Sequence, residues 1–351
     1  MNTAASSRIC DRRGPCARGI TRARHLKRLA QRHCIGIGFV IGEAVPFAMH
    51  LCDQTRITDA WTAFWQEPAA GAQCLRGAAD VTQIVRTQWS AFAATLPVDA
   101  RVLDIGCGAG VAARALISVR CDLRVTGIDI AQVPYAAAAQ IDIVSGTAME
   151  SLPFANASFA AAISQFGFEY SERNEAAREL ARVLAPGARF AFLIHHAGSS
   201  IVATNRARLR ALHAVQEQDM RAAFLSGDAA GLDAEMNVLR REHPRDTLVA
   251  ELARILPQRA RASGRERGAM WSAIEVALAP ERAILEAMNV CCVAPEEIDG
   301  WLAPLRQGCE LTCVAALRRP NGEPIAWRID GTRRPSCVDV RSPPSSAYAS
   351  A

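Results

Sequence analysis

Residues 102–110 read Val-Leu-Asp-Ile-Gly-Cys-Gly-Ala-Gly, an apolar run that ends in glycines at three alternate positions. Glycine has no Cβ, so Gly106, Gly108 and Gly110 allow the backbone to turn sharply and approach a ligand closely. A second apolar run, Arg124–Ile130, follows after one helix-sized segment and carries Asp129 near its end. An acidic side chain at that place accepts hydrogen bonds from a ribose diol. The chemistry is recognition of an adenosine-like cofactor on a doubly wound α/β sheet. Spacing narrows the choice of cofactor. A dinucleotide fingerprint, Gly-x-Gly-x-x-Gly, calls for glycine at position 111, which here is Val111. Dinucleotide binding also aims a helix N-terminus at an anionic pyrophosphate. Asp104, two residues ahead of the first glycine, suits a cationic ligand better, such as the ammonium of an amino acid moiety.

The pattern Asp-x-Gly-x-Gly-x-Gly, with Asp129 closing the next run, resembles motif I of the class I S-adenosylmethionine (SAM) dependent methyltransferases. The resemblance continues over roughly residues 100–195. Gly146–Phe154 is similar to the family segment after the third strand, with Thr147 where the family has an adenine-binding Asp. Ser158–Ser164 resembles the fourth strand, with Ala160 in place of another usual Asp. Leu184–Phe190 resembles the turn into the fifth strand, where Pro186-Gly187 is expected to end a helix, Glu175–Leu184, and reverse the chain. Beyond the motifs, Cys309–Leu317 and Pro324–Ile329 flank an Asn-Gly dipeptide, a strong hairpin signal.

The resemblance implies a Rossmann-like, doubly wound, mostly parallel seven-stranded sheet with an antiparallel C-terminal hairpin and a helical insertion. Within the family it is most similar to the ubiquinone/menaquinone C-methyltransferases. It implies in-line methyl transfer from SAM to a small-molecule acceptor, without a metal. Asp104 would serve the methionine portion, Gly106, Cys107, Gly108 and Gly110 the backbone cradle, and Asp129 the ribose. Thr147, Ala148 and Met149 would serve the adenine, with Ile130 and Ser164 completing the cofactor-binding set. Cys107, inside the loop, reads as a small filler.

Acceptor chemistry belongs outside the carboxyl ends of the strands. Ser164–Tyr170 follows the fourth strand, and Gln165 is its candidate for substrate handling. His195 and His196 end the apolar run Phe190–Ile194. Adjacent strand residues point to opposite faces, so the two histidines do not chelate one metal, and one of them faces the pocket as a general base. Trp61, Phe64 and Trp65 fall at helical spacing. Their aromatic face either covers the cofactor cleft or packs on the domain. Trp89 and Phe92, on Asp80–Ala94, read as helix-to-sheet packing.

The 351 residues are half apolar, enough for a sizeable core. The net charge of +5 is unevenly spread: residues 1–50 hold nine Lys/Arg against Asp11 and Glu43, leaving −2 for the remainder. That is no footprint for nucleic acid. Residues 1–48 are expected to be a disordered or non-native extension, with the composition of a transit peptide or of translation from an upstream start codon. Residues 49–199 are expected to hold the N-terminal helices and cofactor core, 200–290 a helical insertion capping the substrate, and 291–332 the last helix and hairpin. Residues 333–351, rich in Ser, Pro and Ala, are expected to be a disordered tail. The insertion shows helical patterns at 203–225, 232–241, 246–256 and 267–288, punctuated by Pro244, Pro257 and Gly264. Twelve scattered cysteines without a Cys-x-x-Cys read as reduced thiols in a cytoplasmic protein. No run is long enough for a membrane span, and no pattern specifies an oligomeric state. Two other readings stay open: a non-catalytic module that keeps the fold for binding or assembly, motivated by Thr147 and Ala160, and a nicotinamide oxidoreductase, disfavoured by Val111.

Overall fold

The computed structural model describes residues 51–66, 79–134 and 140–335. The expected extension at residues 1–48 lies outside the described residues; of the expected tail 333–351, Arg333 belongs to the last strand and residues 336–351 lie outside the described residues. Contacts divide the chain into two compact units. Gln216–Leu278 belongs to the smaller one, and the rest of the described residues form the larger.

The larger unit is built on seven strands: β1 Arg101–Ile105, β2 Arg124–Asp129, β3 Ile141–Ser145, β4 Phe159–Gln165, β5 Leu184–His195, β6 Cys309–Arg318 and β7 Pro324–Arg333. Their order is β3-β2-β1-β4-β5-β7-β6. β1 to β5 run parallel, and β7 runs antiparallel to both β5 and β6. The fold is a Rossmann-like, mostly parallel sheet closed by an antiparallel C-terminal hairpin. The order reverses at β1, which pairs with β2 on one side and β4 on the other. A crevice therefore opens at the carboxyl ends of β1 and β4, the usual ligand position in such sheets.

Both faces of the sheet are covered, as parallel strands require. Helices α1 (Leu51–Trp65), α2 (Ala79–Ala93) and α3 (Val111–Ile117) precede or flank β1. Trp89, Phe92 and Leu116 pack with Val102, Ile163 and Leu193 on one face. On the other, Leu180 and Val183 of α4 (Arg173–Val183) pack with Leu103, Ile105, Phe192 and Trp301. The pleat thus sends Asp104 to the same face as Val102, away from Leu103 and Ile105.

Some local expectations differ from the structure. Pro186-Gly187 does not turn the chain out of a helix but lies within β5. There the β4 pairing jumps from Phe159↔Leu184 to Ala161↔Arg189, a bulge that Gly187 accommodates at φ 74°. The helix before it is Arg173–Val183, started early because Glu172 accepts hydrogen bonds from the Asn174 and Glu175 amides. The pattern at 203–225 splits into α5 (Ser200–Val215) and α6 (Gln218–Ser226). Pro257 does not end its helix, since α8 runs Thr247–Arg259 through it. Its missing N–H forgoes the bond to the Ala253 carbonyl, and the burial of Val249, Leu252 and Leu256 holds the helix despite that loss.

In the smaller unit, α6, α7 (Ala229–Glu242), α8 and the first part of α9 (Gly264–Cys291) pack around buried Phe224, Trp271, Leu232 and Leu256. Asp228 and Asp246 cap α7 and α8 through the amides of Gly231, Leu248 and Val249. Within the larger unit, Arg208 of α5 grips Glu281 of α9 with two parallel bonds of 2.8 Å, the side chains 2% and 4% exposed. Removing one partner strands a buried charge. Glu281→Ala is expected to lower the unfolding free energy by about 3–5 kcal/mol in urea titration. Replacing the pair together, Arg208→Met with Glu281→Leu, is expected to recover most of that loss. A single-variant loss below about 1 kcal/mol would show the pair to be solvated in solution.

Candidate functional site

The crevice at the switch point is a cavity of about 370 Å³. Its floor is the glycine loop between β1 and α3. Gly106 stands at φ 65° and Gly108 at φ 46°, a region that favours glycine. Close packing adds a second reason. A Cβ on Gly106 would come within 2.9 Å of the Gly167 Cα, and one on Gly108 would overlap the Trp65 indole. Gly110 does not line the cavity. It precedes α3, and its amide donates to the Cys107 carbonyl at 2.8 Å.

Two carboxylates stand around this loop. Asp129 accepts from the Gly108 amide through Oδ2 and from the Ala131 amide through Oδ1, both at 2.9 Å. It therefore holds the loop in shape while remaining at the cavity wall. Burial pushes its carboxyl above the usual carboxylate range, with the two backbone bonds opposing. Asp104 differs. Both of its oxygens are buried and neither makes a hydrogen bond of normal geometry. Burial pushes its carboxyl up to about 7, the Asp129 charge adds to this, and the Ala113 amide and Arg114 oppose it. An uncompensated buried acid at a cavity floor is a place for a cation.

Of the other expected cofactor residues, Cys107, Ile130, Thr147 and Met149 line the cavity. Cys107 packs its Sγ against Gly127, where a Cβ would come within 2.7 Å. Burial raises its thiol well above the usual range, which fits a filler and not a nucleophile. The Thr147 amide donates to the Asp129 carbonyl at 2.9 Å, fixing the β3 exit beside β2. Ala148 and Ser164 are not lining residues. Ser164 is fully buried, donates to the Ile105 carbonyl at 2.7 Å and accepts from the Phe168 amide at 3.0 Å. It ties the β4 exit to the glycine loop.

On the acceptor side, Gln165 lines the cavity and accepts from the Trp89 indole N–H at 2.6 Å. His195 and His196 point to opposite faces and neither lines the cavity. His195 faces Glu169 and stacks near Phe166, at 4.4 Å between ring centroids. His196 stacks on Trp327 at 4.7 Å on the far face.

Trp89 and Arg86 carried no sequence signal as lining residues, whereas Phe166, Tyr170, Trp61 and Trp65 lie in segments the sequence nominated. Trp89 read as packing, yet it both packs and reaches the cavity. Phe166 adopts φ 57° without being glycine, which marks a strained position held by its surroundings. Arg86 and Tyr170 also border the space. Trp61 and Trp65 of α1 line it too, with Trp65 packed on Ala131 and Val133. Among the described residues no cluster of His, Cys, Asp or Glu could hold a metal.

Residues 103–192 match the family model described as a methyltransferase domain. This stretch is a methyltransferase domain of the class I type. SAM is the cofactor of such a domain. No curated protein matches the chain. Among solved structures, a Haloferax volcanii putative methyltransferase, in complex with the Trm112 activator, is 24% identical with a TM-score of 0.32. The match covers 40% of this chain, which spans 60% of the length of that one. A Burkholderia thailandensis 1,6-didemethyltoxoflavin-N1-methyltransferase, with bound 1,6-didemethyltoxoflavin and S-adenosylhomocysteine, is 10% identical. It covers 84% of this chain and 94% of its own at a TM-score of 0.45. A putative sarcosine dimethylglycine methyltransferase from Galdieria sulphuraria is 17% identical over 80% of this chain and 98% of its own, with a TM-score of 0.37.

The methyltransferase domain fits its cofactor on its own geometry: a glycine loop that borders the cavity and a buried acid beside it whose oxygens make no hydrogen bond of normal geometry. Asp104 also makes a prediction for the ligand-free protein. Its folded carboxyl titrates near 7, above the ordinary 3.8 of the unfolded chain. The folded state binds more protons between those values, so stability falls as pH rises through the window. Asp104→Asn is expected to raise the Tm above pH 7, with the gain vanishing below pH 4. Differential scanning calorimetry across that range checks it, and a gain independent of pH would contradict it.

Proposed function

We propose that this chain is a SAM-dependent methyltransferase acting on a small-molecule acceptor by in-line methyl transfer. The observation that carries the reading is the Asp104 carboxylate, buried and without a hydrogen bond at the floor of a cavity whose glycine loop is held by Asp129. SAM supplies an ammonium group for such an acid, a ribose diol for Asp129, and an activated methyl on a sulfonium. Asp104 binds the ammonium of the methionine portion. Gly106 and Gly108, which have no Cβ, let the loop pack on Gly167 and Trp65 and border the cavity with its backbone. Thr147 and Met149 border the adenine.

The chain's own contribution to the reaction is alignment and exclusion of water. Trp61, Trp65, Trp89, Phe166 and Tyr170 give the cavity apolar walls. Holding nucleophile and methyl in line within such walls is worth up to about 7–11 kcal/mol of the barrier. The volume of about 370 Å³ is in the range of small-molecule sites. Gln165, with its carbonyl oxygen engaged by Trp89, presents its amide group to the acceptor side. His195 and His196 lie outside this lining. Among the described residues, no helix is long and apolar enough to cross a membrane. We further propose a cytoplasmic protein with no nucleic-acid partner, on the grounds of its cysteines and the −2 balance beyond residue 50.

Calorimetric titration with SAM tests the assignment. Asp129→Ala is expected to weaken binding at least tenfold, roughly 1.4 kcal/mol or more. Unchanged affinity in that variant would sink the ribose assignment. Because an ionised Asp104 is the better partner for an ammonium, SAM affinity is expected to rise as pH increases through about 7, and this slope is expected to disappear in Asp104→Asn. A protein that fails to bind SAM at all would be the non-catalytic module instead.

A further inference from the structure

β6 is the last strand of the sheet: it pairs with β7 on one side, and no described residue pairs with it on the other. The N–H and C=O groups along such an edge are a template for another strand, and natural edges are commonly blunted by lysine, proline or an inward-pointing charge. Between Leu311 and Leu317 β6 has none of these, reading Leu-Thr-Cys-Val-Ala-Ala-Leu. Val314 and Ala315, at its middle, are exposed. The two charged residues of the strand, Glu310 and Arg318, stand near its ends with opposite sign. Both are exposed, and neither belongs to an ion pair among the described residues; Arg318 Nη1 donates to the Gly322 carbonyl at 2.8 Å.

Register decides how those charges are placed. The pairing with β7 shifts twice, between Leu311 and Cys313 and between Leu317 and Arg318. Glu310 stands against Thr332, Ala315 against Arg328 and Arg318 against Pro324. Measured along β7, Glu310 and Arg318 are therefore four residues to either side of Ala315. An even separation puts all three on one face of the sheet, with each charge about 13 Å from Ala315. Counted along β6 itself the charges are five and three residues from Ala315, on the other face from it, so the symmetry is created by the two shifts.

We propose that the β6 edge is a self-complementary dimer surface, taken by β6 of a second copy of this chain running antiparallel about a two-fold axis at Ala315. Ala315 then meets Ala315, Val314 meets Ala316, Cys313 meets Leu317 and Glu310 meets Arg318, each unlike pair occurring twice. Such an isologous contact is the commonest form of dimer. No like charges face each other, and the residues at the axis are small enough for backbones to approach. Main-chain hydrogen bonds across the edge supply the affinity. The two charge pairs select this register, since a slip along the strand parts them and sets nothing in their place. β5 and β7 separate β4 from this edge, so the cofactor crevice is not part of the interface.

Sedimentation velocity of the full chain over a concentration series is the experiment. The wild type is expected to sediment as a dimer that dissociates on dilution, and more readily at high salt. Glu310→Arg sets like positive charges opposite each other at two places, and Arg318→Glu like negative ones. Each is expected to weaken the dimer about tenfold or more. Mixing these two variants is expected to restore association as a heterodimer, and the double variant Glu310→Arg with Arg318→Glu is expected to dimerise like the wild type. Thermal melting of each sample separates lost pairing from lost fold, and the wild-type measurement stands if a variant fails to fold. A monomeric wild type, including one that dimerises only after removal of residues 336–351, overturns the proposal. So does a dimer that neither single swap weakens, or a pair of folded single variants that stay apart on mixing.

Discussion

Backbone meets backbone where Gly106, after β1, packs on Gly167, after β4, with no room for a Cβ on either residue. This contact closes the floor of the crevice at the point where the strand order reverses. Ser164 locks it from below by bonding the Ile105 carbonyl, and Phe166 takes up the strain with a left-handed backbone. With the two strand exits joined, the loop has one shape, and Asp129 needs only to hold the Gly108 amide to fix the remainder. Trp65 then lies on Gly108 because that position has no side chain.

The same edge of the sheet gathers three buried acids with different surroundings. Asp129 is held by two backbone amides and Glu169 by the backbone and ring of one histidine through Oε1, while Asp104 has only the Ala113 amide and Arg114 to oppose its burial. An unsatisfied buried acid destabilises the ligand-free fold, a common feature of sites that wait for an oppositely charged ligand. The cost is concentrated at Asp104, while the other two acids shape what surrounds it. The buried Arg208–Glu281 pair shows the contrasting case, a charge matched within the chain and so without any call for a ligand.

Much of the fold was legible because its signals are local. Alternating glycines after an apolar strand, Asp129 closing the next strand, and Asn-Gly between two β-like runs each depend on a few neighbouring residues. The hairpin turn shows this well: Gly322 takes φ 87°, and the Arg319 amide closes on the Glu323 carbonyl at 2.8 Å. Pro186-Gly187 misled for the same reason. Locally it reads as a turn, but pairing with β4 keeps it inside a bulged strand. Pro257 misled in the opposite direction, since burial of Val249, Leu252 and Leu256 carries the helix through the missing amide. His195 and His196 were nominated together by position, and only the pleat and the packing assigned one to Glu169 and the other to Trp327.

The sequence by itself determined the sheet's character, the glycine loop and the two acids around it, because backbone freedom and strand periodicity are written in consecutive residues. Tertiary structure alone decided that both Asp104 oxygens are buried without a hydrogen bond of normal geometry, that Trp89 reaches Gln165 across 76 residues, and that Glu169 turns toward His195 across 26. Those facts depend on which atoms strand pairing and helix packing bring within about 3 Å of each other, the reach of a hydrogen bond. Residue type and spacing carry no record of such meetings, so the cofactor loop could be read from the chain and the pairing of Glu169 with His195 could not.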